Sequence, residues 1–191
     1  MADCRQSLRW IPSGKIAVMT PFCRPLAASL LLGLAACAPA LNWRETRPEG
    51  ADVAMLFPCR PDRNERAIGV AGAPLRMQMH SCDAQGTVFS LAFVDVADVA
   101  SVAPVLAAMR AAAVANVDGA SNVLPWRVPG ATPNEQAARL RIEGSLPDGR
   151  RVVENTGFFV RGLRLYQATA LGGSLDAEAL DTFFGSIRIV P

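Results

Sequence analysis

The chain has 191 residues, 51% of them hydrophobic and 19% charged, with a formal net charge of +2. That hydrophobicity with so little net charge excludes a fully disordered chain. Only one apolar run approaches membrane length, which excludes a multi-span membrane protein.

The positive sign belongs to the first 36 residues, where Arg5, Arg9, Lys15 and Arg24 face Asp3 alone. The 155 residues that follow have 15 Arg, no Lys and 16 acids, a net charge of −1. That length is one domain. A near-neutral domain has no clustered basic surface for nucleic acid. A single histidine, His80, leaves most zinc sites and histidine-based catalysis without their ligand or base. No cofactor is expected.

Arg24 precedes an apolar run of 13 residues, 26–38, flanked by Pro25 and Pro39. A membrane-spanning helix needs about 20, so the run is expected to be the core of a signal peptide covering residues 1–36. Met19 offers a second start that would give a leader of 18 residues and make 1–18 an upstream mis-start. Leu34-Ala35-Ala36-Cys37 resembles the bacterial lipobox. The resemblance implies that the Cys37 thiol is lipidated, that the leader is cut before it, and that the new amino terminus is acylated, palmitate being the usual chain. Acyl chains contribute about 0.8 kcal/mol per buried CH₂, and two or more give a stable anchor. Ala38 stands where an Asp would retain such a protein at the inner membrane. By that resemblance the destination is the outer membrane, facing the periplasm. The alternatives are inner-membrane anchoring and an uncleaved single N-terminal transmembrane anchor. Residues 39–52 show no apolar period and are expected to be a tether, spanning roughly 20 Å as a random coil.

A single domain is expected over 53–191. Residues 53–57 make a short strand stopped by Pro58. Residues 75–82 and 87–94 alternate as strands around a turn at 83–86 and form a hairpin. Asp98 or Ser101 caps a helix whose buried face is Val102, Val105, Leu106, Met109 and Ala113, ending near 116–119. Residues 121–133, rich in Pro and Gly, form a loop carrying Trp126. Three strands follow at 140–146, 152–160 and 163–171. A short helix capped by Ser174 or Asp176 carries Leu175, Ala179, Leu180, Phe183 and Phe184, and residues 187–190 close the chain as a strand or an apolar tail. The order implies an α+β fold: an antiparallel sheet of five to six strands with one long and one short helix packed on it.

Leu56-Phe57-Pro58, the run from Phe159 to Gln167, and Phe183-Phe184-Gly185-Ser186-Ile187 resemble the PsbP/Mog-type α+β fold of small bacterial envelope proteins. The resemblance covers the ends of the domain. It implies a fold and transfers no function, because members of that fold bind unlike partners.

Cys59 and Cys82 are the two cysteines inside the domain, and export favours a disulfide between them, closing about 24 residues and worth roughly 3 kcal/mol. Free thiols or a redox pair are the alternatives. Met77-Gln78-Met79-His80-Ser81-Cys82 holds soft ligands suited to copper(I), but strand alternation sends Met77 and Met79 to one face and His80 and Cys82 to the other. Met77 and Met79 are therefore expected in the core and His80 at the surface or edge. No nucleophile turn of the Gly-x-Ser-x-Gly type is present. Asp95 and Asp98 fall at a strand–helix junction, where carboxylates cap or solvate, and Gly172-Gly173 lacks phosphate-loop spacing. The expected binding surface is the loop around Trp126 with a rim of Arg161, Arg164 and Tyr166. The functional expectation is a non-enzymatic, membrane-anchored envelope lipoprotein that binds a protein or small ligand. A redox or metal-binding protein using Cys59, Cys82 and His80 is the alternative.

Overall fold

The computed structural model describes residues 41–70 and 72–191. The expected signal peptide, the alternative start at Met19 and the expected lipidation of Cys37 fall outside these residues.

The chain is folded earlier than the expected tether allows. β1 (Arg44–Thr46) pairs antiparallel with β2 (Val53–Phe57), Arg44 opposite Phe57. Leu41 and Trp43 pack on the core, Trp43 edge-on to Phe89 at 6.1 Å, and Ala51 is fully buried. Their apolar side chains are too sparse to show a period, so residues 41–52 read as tether although each apolar one is used. β2 is the middle of a three-stranded sheet, with the two-residue β10 (Arg188–Ile189) on its other side. The closing segment is therefore a strand rather than a tail.

The remaining strands form one antiparallel sheet of seven: β3 (Asp62–Val70), β4 (Ala73–Ala84), β5 (Thr87–Asp95), β6 (Ala120–Leu124), β7 (Ala138–Ser145), β8 (Arg151–Arg161) and β9 (Arg164–Gly172). Their order across the sheet is β3-β4-β5-β9-β8-β7-β6. The α+β antiparallel class is as expected, but the count is seven and three rather than five to six. β3 is an edge strand of mostly exposed charged residues, with Arg63 paired to Glu49 and Arg76 of β4 to Glu65. It carries no apolar period to find. β6, inside the expected loop, is the opposite edge and is mostly exposed.

Turn chemistry sets two of the hairpins. Gln85 and Gly86, both at positive φ, make the two-residue turn between β4 and β5, and Gly162 at φ 59 opens the β8–β9 turn. Asp98 Oδ1 accepts from the Ser101 backbone N–H at 2.9 Å and starts a 3₁₀ turn that runs into α1 (Val102–Val117). Asp176 likewise caps α2 (Ala177–Gly185), accepting from Ala179 at 2.8 Å, with Glu178 placed favourably in the first turn.

The large sheet is covered on both faces. α1 lays Val102, Val105, Leu106, Met109, Ala113 and Val117 on Val94, Leu140, Ile142, Phe158 and Leu165. The segment Val99–Val117 is long and apolar enough to cross a membrane by length and composition, yet its inner face is spent on this core. On the opposite face, α2 and the small sheet pack Phe57, Phe183 and Phe184 against Phe89, Phe93, Phe159 and Tyr166. Three layers result: α1, the seven-stranded sheet, and α2 with the small sheet. A closed approach fixes the end of α1: a Cβ on Gly144 would stand 2.2 Å from the Val117 carbonyl oxygen, so only glycine admits the helix there.

Candidate ligand-binding slot

Of the residues expected to form a binding rim, Tyr166 is fully buried, stacks on Phe159 with centroids 4.5 Å apart, and donates its hydroxyl to the Ala51 carbonyl at 2.7 Å. Arg164 grips Asp95 through two bonds of 2.7 and 2.9 Å, and reaches Asp52 at 2.9 Å and the Gly50 carbonyl. Both hold the 48–52 segment to β9 and are committed inside the molecule. Arg161 is exposed and donates to the Gly130 carbonyl at 3.2 Å, which straps the Trp126 loop to the β8–β9 turn. The three do not form one rim.

Trp126 packs edge-on against Phe159 and Phe184 at 5.8 and 5.7 Å, and its Nε1 donates to the Phe184 carbonyl at 3.3 Å. Gly157 makes room for the ring, since a Cβ there would come within 2.4 Å of it. The groove between this loop and the sheet is large, about 740 Å³, but broad and open, and no charged side chain lines it except Arg127.

The Cys59 and Cys82 sulfurs lie 2.07 Å apart, at disulfide distance. Sequence alternation is correct in separating His80 and Cys82 from Met77 and Met79: Cys82 packs on the α2 side of the sheet and the two methionines on the α1 side. His80, expected at the surface or edge, is instead 5% exposed and stacked parallel to Phe93 at 6.4 Å, with Nε2 unpartnered. Burial pushes its pKa below the usual histidine value, with the Glu49 backbone partly opposing. Although β4 lies next to the edge, β3 covers it, and its α2-side face is roofed by the 48–52 segment. Asp95 binds Arg164 and Asp98 caps the helix, so these carboxylates have structural uses.

A better-built site lies under the C-terminal half of α1. There a slot of about 340 Å³ runs between the helix and the sheet. It reaches from Arg66 on β3 to Glu154 on β8. Four strand spacings separate these, about 19 Å at ~4.8 Å each. Three methionines line it, Met77 and Met79 from β4 and Met109 from α1, together with Ala112, Ala113 and Asn116 of the helix. The small alanines leave the space. The flexible thioethers adapt to what fills it.

Its floor is polar where the core would be expected to be apolar. Thr156 and Thr169 face each other across β8 and β9 with hydroxyls 2.9 Å apart, and Gln167 Nε2 donates to Thr156 at 3.2 Å. Glu154 is 5% exposed and has no ion pair among the described residues. Burial pushes its carboxyl up to about 7, and a hydrogen bond from Thr156 opposes the shift. An apolar slot with a few convergent polar groups and a displaced titration is how small-molecule sites are usually composed.

The sequence carried a signal for this site that strand assignment alone did not raise. Period 2 puts Glu154 and Thr156 on one face with Val152, Phe158 and Val160, and Gln167 and Thr169 on one face with Leu165 and Leu171. Two apolar stripes, each interrupted by two polar residues, become adjacent when β8 pairs with β9.

No family model, curated protein or solved structure matches the chain.

Proposed function

We propose that this chain is a membrane-anchored cell-envelope lipoprotein, attached through Cys37, whose α+β domain holds a small amphiphilic molecule in the slot under α1. The observation that carries the binding role is Glu154, a buried carboxyl with no ion-pair partner among the described residues, on the wall of a methionine-lined slot. A carboxyl in such a place costs stability unless something satisfies it, and the slot is large enough to admit what would. The lipobox-like run ending at Cys37 and the PsbP/Mog-type resemblance support the envelope setting, and Ala38 after the cysteine favours the outer membrane within it.

Two measurements test the two halves of this reading. Ala112 lines the slot and faces solvent, so Ala112→Phe should block the slot without opening the core. Hexanol is expected to shift the methyl resonances of Met77, Met79 and Met109 in the parent chain and leave them in place in A112F. Equal shifts in both would place binding elsewhere. For the anchor, cells fed an alkyne-tagged fatty acid should label the parent chain and not Cys37→Ser. Label persisting in C37S would remove the lipid anchor at that residue.

A further inference from the structure

Resting on that reading, we infer that the ligand of the slot carries a protonated amine on a short apolar body, with the ammonium held against the Glu154 carboxylate. The floor offers acceptors to a ligand donor, first of them the Glu154 carboxyl, which is buried and has no ion pair among the described residues. Gln167 turns its amide nitrogen to Thr156 and Thr169, and its Oε1 has no partner among the described residues. Glu154 adds a carboxylate nearby on β8, one register step beyond Thr156 on the same face. An ammonium has three donors and no acceptor, which matches an acceptor-rich floor. A ligand carboxylate would bring a second negative group beside Glu154 and is disfavoured.

The charged and titratable surroundings point the same way. α1 contributes alanine, methionine and asparagine to the slot, β4 methionine, β5 Ser90 and Ala92, and β9 Gln167 and Thr169. Among the described residues Arg66 is the one cation on the lining, on the exposed edge strand at the far end. It stands four strands away from Glu154 across the sheet and makes no ion pair with it among the described residues. The carboxylate is therefore free to take its counter-charge from a ligand. The apolar remainder of the molecule would lie along Met77, Met79 and Met109.

The test uses the full chain in zwitterionic-lipid nanodiscs, carbon-13 labelled at its methionine methyls, titrated with hexylamine, hexanol and hexanoate. The Met77, Met79 and Met109 signals report occupancy. Hexylamine is expected to bind at least tenfold more tightly than hexanol, with hexanoate weakest. Glu154→Gln should bring hexylamine down to the hexanol level while hexanol binding is retained, which also shows that the variant is folded. Glu154→Asp, which keeps the charge, should retain part of the preference for the amine. Equal binding of amine and alcohol, or a preference that survives in E154Q, overturns the amine assignment and leaves the slot as an apolar site. If none of the three probes moves any of the three methyl signals, the binding role of the slot falls, and the amine assignment with it.

Discussion

Glu154 links the stability of the domain to pH. Its carboxyl titrates near 7 in the folded protein and near the ordinary 4.5 when unfolded. Between those values the folded state holds a proton that the unfolded chain has lost, so stability falls as pH rises from about 4.5 to 7. The difference is on the order of 3 kcal/mol at 1.36 kcal/mol per unit. Glu154→Gln should therefore flatten this decline and make the variant more stable than the parent at pH 8, as read from urea unfolding at a series of pH values. A pH profile that is the same in the parent and in E154Q across that window would contradict the burial cost assigned to the carboxyl. His80 acts in the opposite sense: its folded pKa lies below 6.5, so stability is lost as pH falls through that region. Comparing the parent with the Gln variant separates the two, because His80 is common to both.

Among the elements, the Cys59–Cys82 bond joins the end of β2 to β4, and so fastens the small sheet to the large one. Replacing both cysteines with serine should lower stability by about 3 kcal/mol, the expectation for a loop of this length, measured as a shift of the urea midpoint. A shift near zero would mean that the two sheets are held by their apolar contacts alone. The elements that sequence reasoning located were those with a strong period or clear punctuation: β2, the β4–β5 hairpin, α1 with its alanine-rich run, β7 to β9, and α2 with its Asp176 cap. The ones it missed share a physical cause. β1, β3 and β6 lie at sheet edges, where one or both faces meet solvent and no apolar stripe is required. The candidate site was hidden for a related reason. Central strands covered on both faces are apolar at nearly every position, so alternation no longer separates inside from outside, and nothing marks the polar pairs at 154/156 and 167/169 as buried. His80 was misplaced likewise, because the 48–52 segment that roofs it had been read as tether. Tyr166 and Arg164 looked like surface groups beside a turn; only the same segment, folded over them, gives them partners.

Across the whole molecule, Arg164 is the tie that holds the outer layer down. It binds Asp95 on β5, Asp52 and the Gly50 carbonyl, and lies over the Phe93 ring at 5.2 Å. Arg164→Ala should cost about 1–3 kcal/mol, the range for charge-assisted hydrogen bonds that are partly sheltered. It should also speed amide hydrogen exchange in residues 50–54 more than in β8. Uniform acceleration throughout would instead mark a global loss of stability with no local release. The early start of the folded body has a mechanical consequence. With Cys37 acylated, as proposed, four residue steps separate the lipid from Leu41, at most ~14 Å of extended chain, and Leu41 and Trp43 already pack on the domain. A leash that short gives the body little freedom to tumble away from the bilayer, so the flank bearing β1 would ride close to the headgroups.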